Sequence, residues 1–275
     1  MVGASGFLGS RLLALAPRHT DLVGTGGRRP VRPGPWREVQ LDITSPTALR
    51  ALFERERPGI VFFCAYDREN RLATVDAPVR AAALAAQVGA RFVFFSTDLV
   101  FDGRTGGYKE ADRPAPVMAY GAMKAEAEVE VRVENRAATI VRPSLFVGES
   151  GVMLRPAYEC ETLLRGRPVT LYRDEWRSPT HVDDVARAAW DLAAHEYPGV
   201  FHVAGPDRLS RMELGRLLCM LFRLDVSLLR EGARPADRPK DTSLDCRRTS
   251  ELLGWAPRSL VQLAHRAGAP SPAHD

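Results

Sequence analysis

From the start of the chain to about Pro143, short runs of β-branched and aromatic residues alternate with Ala- and Leu-rich stretches of helical period. The runs fall at Leu22–Thr25, Val39–Asp42, Ile60–Cys64, Arg91–Ser96 and Thr139–Arg142. They are apolar almost throughout instead of at every second residue, as strands are when helices cover both faces of a parallel sheet. Helices are predicted between them at Phe7–Leu15, Thr47–Glu56, Pro78–Val88 and Tyr120–Val133. Asp76 is expected to cap the third, with Pro78 in its first turn. The pattern predicts an α/β chain with a doubly wound parallel sheet.

Beyond Gly148 the alternation loosens. A helix is predicted over Val152–Leu164, a strand at Val169–Leu171 and a helix at Val182–Ala193. Ser210 and Glu213 have capping-box spacing, which starts a further helix through about Phe222. The expected division is a dinucleotide-binding unit over residues 1–148, with 179–200 packing back on it. Residues 149–178 and 201–262 would form a smaller C-terminal substrate-binding lobe, and 263–275 a frayed tail. With 45% hydrophobic residues, 275 residues are enough for a sizeable core. The 38 basic and 34 acidic residues are dispersed without a basic stripe, which argues against a nucleic-acid partner. No apolar run reaches the ~20 residues of a membrane span, so no membrane partner is expected. Cys64, Cys160, Cys219 and Cys246 lie far apart with no CxxC pair, which favours reduced thiols, a cytoplasmic location and no metal site.

Gly3-Ala4-Ser5-Gly6-Phe7-Leu8-Gly9 spaces its glycines three apart. Such a loop turns tightly, approaches a pyrophosphate and opens a helix whose N-terminus favours an anion, the phosphate site of a Rossmann-like unit. After the Leu22–Thr25 strand stand Gly26-Gly27-Arg28-Arg29. No acid is there to hold a ribose 2′-hydroxyl, and two arginines are ready for a 2′-phosphate. NADPH is therefore expected, with NADH as the alternative, although exposed arginines also simply solvate loops. Asp42 stands where an adenine amino group could be met, but Asp42 or Ser45 could equally cap the next helix. Only Met1 and Val2 precede Gly3, so the first strand of the unit is expected to be missing.

Tyr120 and Lys124, at i and i+4, share one helix face. A phenol with a pKa of about 10 is a poor acid or base at neutral pH, and a neighbouring ammonium lowers that value. Upstream, Phe94-Phe95-Ser96-Thr97-Asp98 ends a strand in hydroxyls and a carboxylate. That is the carboxyl edge where open parallel sheets bind ligands, and a hydroxyl there can polarise a carbonyl.

The ordered series Ser96-Thr97-Asp98-Leu99-Val100-Phe101-Asp102-Gly103, Tyr108-Lys109-Glu110, Pro114-Ala115-Pro116 and Tyr120-Gly121 with Lys124 resembles the extended short-chain dehydrogenase/reductases. More narrowly it resembles the dTDP-4-dehydrorhamnose reductase group, which includes the regulatory β subunit of methionine adenosyltransferase. Arg142-Pro143-Ser144, Pro179 to Ala186 and Leu244-Asp245-Cys246 extend the likeness over nearly the whole chain. The resemblance implies NADPH-dependent reduction of the C4 keto group of a dTDP-linked deoxysugar, with Thr97, Tyr120 and Lys124 as the catalytic set.

It further implies cofactor contacts at Gly3, Ser5, Gly6, Phe7, Leu8, Arg28, Arg29, Asp42, Ile43, Cys64, Ala65, Tyr120 and Lys124. Substrate contacts would fall on Ser96, Asp98, Ser144, Trp176 and Arg177, and the Arg234–Arg248 segment could meet a diphosphate or remain a solvated loop. Thr180 or Asp183 could cap the helix that follows them, and His181 reads as structural. The partner is a nucleotide sugar, and a homodimer is compatible with the sequence. The chain departs from the pattern between Cys64 and Val88, which is shortened: Tyr66 follows Cys64-Ala65, and Thr74 stands for the usual asparagine. The resemblance then implies slower turnover or another substrate. Two competing readings are an NADP-binding regulatory or scaffold subunit without turnover, and a sugar-nucleotide epimerase or dehydratase, which would hold its NAD tightly.

Overall fold

The computed structural model describes residues 1–150, 153–155 and 157–268. Its first part runs α1 (Phe7–Ala14), β1 (Val23–Gly26), β2 (Arg37–Gln40), α2 (Pro46–Glu56), β3 (Ile60–Phe63), α3 (Ala77–Gln87), β4 (Arg91–Phe95), α4 (Ala119–Glu134) and β5 (Thr139–Pro143). Every element expected here is present, with bounds within two residues. The second part runs β6 (Phe146–Ser150), β7 (Met153–Arg155), α5 (Ala157–Leu164), β8 (Val169–Tyr172), β9 (Trp176–Arg177), β10 (Thr180–His181) and α6 (Val182–Ala194). It continues with β11 (Gly199–Val203), β12 (Leu209–Ser210), α7 (Arg211–Phe222), β13 (Leu229–Gly232), α8 (Arg247–Leu253) and α9 (Leu260–Gly268).

The main sheet is parallel, in the order β11-β5-β4-β3, and β1 pairs with β2 in a second parallel ladder. Residues 1–4 stitch the two together. Val2 N–H donates to the Phe62 carbonyl at 2.9 Å and Cys64 N–H to the Val2 carbonyl at 2.9 Å, while on the other side Thr25 N–H donates to Met1 at 2.9 Å and Ala4 N–H to Thr25 at 2.8 Å. The central position, expected to lack its strand, is thus held by Met1 and Val2, with Val2 forming a parallel bridge to Phe63.

Alternate side chains of the strands serve opposite faces. Phe62, Val93, Phe95, Val141 and Phe201 pack with α1 and α6, whereas Val61, Phe63, Phe92, Phe94 and Ile140 pack with α2, α3 and α4. This two-sided burial is why the strands read as continuous apolar runs. β11 lies in this sheet beside β5, so Phe201 and Val203, assigned to the lobe by sequence, belong to the main core. Smaller ladders join β10 to β6 and β6 to β7, β12 to β9, and β13 to β8.

Several local expectations are corrected. Asp76 does not cap α3: a π-helical turn, Leu72–Asp76, runs directly into the helix, Asp76 is itself helical, and its carboxylate takes Arg71. The helix predicted over Val152–Leu164 begins at Ala157, after the strand β7; Val152 lies outside the described residues. The tail expected from residue 263 is helical through Gly268, because Leu260 and Ala264 are fully buried and Leu260 packs with Leu214 and Leu218 of α7. The capping box forms as read. Ser210 Oγ accepts from Glu213 N–H at 3.1 Å, and the Glu213 carboxylate accepts from Ser210 N–H at 2.7 Å.

Candidate active site

The glycine loop sits at the carboxyl edge of the sheet, between β1 and β3. Gly3 has φ +86°, and a Cβ there would stand 2.7 Å from the Ala65 nitrogen, so only glycine lets the loop pass under Cys64-Ala65. At Gly9 a Cβ would meet the Gly3 carbonyl at 2.3 Å; its absence lets α1 pack against the loop it leaves. Gly6 is the exposed N-cap of α1. It offers no capping side chain, and the first turn carries no acid. The helix therefore turns its positive N-terminal end toward an incoming anion, with the Gly6 amide held on the Gly3 carbonyl at 3.1 Å. This cradle fits a dinucleotide diphosphate.

Arg28 and Arg29, past the end of β1, are exposed and make no hydrogen bond or ion pair among the described residues, so their guanidiniums are free for a phosphate. Asp42 is also exposed, but its carboxylate accepts from the Thr44 amide at 2.9 Å and hydroxyl at 2.7 Å, which holds it below the usual carboxylate range. Ser45, not Asp42, caps α2, and Ile43 is half-buried beside them.

Thr97 and Asp98 follow β4. Thr97 caps the short turn Asp98–Val100 by accepting from Leu99 N–H at 3.2 Å. The start of α4 lies on this turn because of Gly121, where a Cβ would be 2.0 Å from the Leu99 carbonyl oxygen. That contact sets Tyr120 beside the hydroxyl-bearing edge. One turn on, Lys124 is buried, donating to the Phe95 carbonyl at 2.8 Å with its ammonium 4.4 Å from the Phe94 ring centroid and 5.3 Å from that of Tyr66. Burial lowers its pKa to about 7, with Cys64 and Glu128 opposing. Burial pushes the Cys64 thiol up to about 12.

Tyr120 behaves differently from the expectation that Lys124 acidifies it. Burial and then Tyr66 push its phenol above the ordinary range, Asp98 adding to them, while Arg68 and Arg177 pull the other way. Lys124 is engaged instead with the strand carbonyl beneath. The Tyr66 ring stands 5.6 Å from that of Tyr120, and the Arg68 guanidinium lies 5.1 Å from the Tyr120 ring centroid.

The residues expected to touch substrate are largely joined to each other. Asp98 is fully buried and accepts from Arg177 Nε at 2.6 Å and from Arg177 Nη2, from Ser144 Oγ at 2.6 Å and from Thr242 Oγ1 at 3.3 Å. Its carboxylate is committed to protein donors, so Asp98, Ser144 and Arg177 form an internal hub tying β4, β5, β9 and the 239–244 strip. Ser96 stands apart. Its hydroxyl is buried, with no hydrogen-bond partner among the described residues. Trp176 is half-buried, with Arg208 4.8 Å and Lys240 5.8 Å from its ring centroid.

In the Arg234–Arg248 segment, Arg238 forks onto the buried Glu175 at 2.7 and 3.0 Å and Arg248 caps the Val200 carbonyl at 3.0 Å, so these two are not free for a diphosphate. His181 is structural as read: its Nδ1 accepts from Asp183 N–H at 3.2 Å, so the cap of α6 is His181 and not Thr180 or Asp183. Among the described residues no cluster could hold a metal ion, and no helix is long and apolar enough to cross a membrane.

Sequence reasoning missed the part played by Gly121, Arg68, Glu175 and Thr242. Gly121 was visible as a glycine in a helix, which costs stability unless packing demands it. The other three carry no local signal, since their partners are distant in sequence.

A glycine cradle at a helix N-terminus, on a doubly wound parallel sheet with a tyrosine and a lysine at its carboxyl edge, defines a dinucleotide-binding fold of the short-chain dehydrogenase/reductase kind. The RmlD substrate binding domain model matches residues 1–266, and the chain belongs to that family. It is 30% identical to Agl14 of Haloferax volcanii, described as a probable low-salt glycan biosynthesis reductase, over 94% of this chain and 93% of that one. It is 29% identical to the methionine adenosyltransferase 2 subunit beta of Pongo abelii, over 94% of this chain and 83% of the other. Among solved structures it resembles a hypothetical dTDP-4-dehydrorhamnose reductase from Sulfolobus tokodaii, with TM-score 0.81, 26% identity and coverage of 94% and 97%. It also resembles MoeE5 in complex with UDP-glucose and NAD, with TM-score 0.79, 26% identity and 96% of each chain covered.

Proposed function

We propose that this chain reduces the 4-keto group of a nucleotide-linked, dTDP-type deoxysugar with NADPH. The observation that supports the reading is the packing of α4, through Gly121 next to Tyr120, on the Asp98–Val100 turn that directly follows Thr97 in the chain, with the Lys124 ammonium buried one turn on. Gly3, Ser5, Gly6, Phe7 and Leu8 would hold the diphosphate, Arg28 and Arg29 the 2′-phosphate, and Cys64, Ala65 and Lys124 the nicotinamide half. When bound, the nicotinamide supplies a hydride.

Tyr120 delivers the proton that a reduced carbonyl oxygen needs, and Thr97, whose hydroxyl donates to Asp98 Oδ1 at 3.2 Å in this structure, would turn that hydrogen to the carbonyl oxygen. The phenol is protonated at neutral pH, and giving up its proton leaves a phenolate that burial disfavours. Ser96 Oγ, buried next to Thr97 in the chain and unpartnered among the described residues, is a second hydroxyl there.

The test is NADPH oxidation on mixing the protein with dTDP-4-keto-6-deoxyglucose and its rhamnose-pathway epimer. Tyr120→Phe should lower kcat by about 10²–10⁴-fold and leave NADPH binding largely unchanged. Equal loss of binding would refute the role of Tyr120. The likeness to a methionine adenosyltransferase subunit supports a second reading, an NADP-binding regulatory or scaffold subunit. Clear NADPH binding with no oxidation of either sugar would favour it. Tightly held NAD in the purified protein would favour an epimerase or dehydratase.

A further inference from the structure

The segment between β3 and α3 is tied down more firmly than a surface connection requires. Thr74, fully buried, donates its hydroxyl hydrogen to the Asp67 carbonyl and accepts from Asp67 N–H at 3.1 Å. Asp67 Oδ1 accepts from Glu69 N–H at 3.1 Å, and Asn70 Oδ1 from Leu72 N–H at 2.9 Å. Arg71 is ion-paired both to Asp76 and to Glu126 of α4, which fastens the segment to the helix that bears Tyr120. What this framework carries to Tyr120 is Arg68. Its guanidinium lies over the phenol ring, and among the described residues it has no carboxylate or carbonyl partner.

We propose that Arg68 is a positioning residue for Tyr120, a loop-borne cation that steadies the ring and stabilises its phenolate. Thr74 acts through the loop by fixing Asp67, the residue next to Arg68. The proposal rests on Tyr120 being the proton donor of the reduction proposed above.

The charged and titratable groups around Tyr120 leave this task to Arg68. On the same loop stands Tyr66, its ring 5.6 Å from that of Tyr120, which opposes ionisation of Tyr120. From beyond β4 and from β9 come Asp98 and Arg177, which act in opposite senses and are bonded to each other. On α4 itself, Lys124 is turned to the Phe95 carbonyl, with Cys64 near it. Arg68 is the cation against the ring face with no counter-ion among the described residues. A cation at this range favours the ionised phenol, and the exposure of Arg68 to solvent keeps the effect to about one pH unit.

The experiment places trifluorotyrosine at position 120 of the full chain, so that the acidified phenol titrates in a range the fold tolerates. Its titration is followed by fluorine NMR without added cofactor, in the parent, in Arg68→Met and in Arg68→Lys. The midpoint should rise by about one pH unit in Arg68→Met and return most of the way in Arg68→Lys, which keeps the charge. A midpoint that does not move in Arg68→Met overturns the proposal, whatever the turnover. A midpoint that moves while neither sugar nucleotide is reduced sustains the role of Arg68 and removes the reductase reading.

Discussion

Replacing Asp98 by alanine tests whether this carboxylate is a structural hub or a hold on the sugar. In the structure the carboxylate is wholly buried, and Arg177, whose side chain is 7% exposed, forks onto it. Removing it leaves the buried guanidinium with Glu175 alone, 3.8 Å from its Nη1, toward the lower end of the about 3–5 kcal/mol lost with one partner of a buried pair. The hydroxyls of Ser144 and Thr242 also lose an acceptor, adding up to about 1 kcal/mol. For a chain of this size each kcal/mol moves Tm by roughly 2–4 °C, so Asp98→Ala should melt about 10 °C or more below the parent. The double variant Asp98→Asn with Arg177→Met carries no stranded charge and should recover at least ~2 kcal/mol over Asp98→Ala. Scanning calorimetry and urea titration of the three proteins supply the numbers. A Tm within about 2 °C of the parent, together with a large rise in KM for the sugar nucleotide, would refute the hub and return Asp98 to the substrate.

Alanine at both Arg28 and Arg29 should weaken NADPH binding by about tenfold or more and NADH binding by less than about twofold, as measured by fluorescence titration; equal effects would remove the 2′-phosphate assignment. Lys124→Met should change the pH dependence of stability. With the folded pKa at about 7 and the ordinary value at 10.5, the unfolded chain binds more protons between those limits, so the parent gains stability as pH rises through that window. The buried ammonium costs most below pH 7. Denaturant titrations at several pH values should therefore find Lys124→Met more stable than the parent near neutrality, with the gap closing toward pH 10. A gap that stays constant with pH would show that Lys124 does not titrate in the fold as described.

The sequence by itself determined the strands and helices up to β5. The apolar runs and the helical stretches between them are local signals, and burial on both faces made them continuous, so each of these fell within two residues of its observed bounds, whereas β11, which pairs with β5 in the same sheet, was not read as a strand. The glycine loop, the Ser210 capping box and the Tyr120–Lys124 spacing were legible for the same reason, because each is a short-range demand of backbone geometry or helix periodicity. Asp76 was misread because the turn before α3 answers to the buried Thr74 and its hold on Asp67, which no cap pattern records. The residues after 263 were misread as tail because α9 is stabilised by burial against α7, not by its own propensity.

Only the tertiary structure decided what the polar residues face. Asp98, Ser144, Arg177 and Thr242 are up to 144 positions apart in the chain and meet in one buried network. Arg68 and Tyr120 come from different elements. Lys124 was read as the ammonium on the helix face of Tyr120, and the fold gives that ammonium the carbonyl of Phe95 as its partner. The physical reason is that hydrogen bonds and ion pairs act over a few ångströms of space. The position of a charge along the chain fixes its helix or strand, and the packing of those elements chooses its partner.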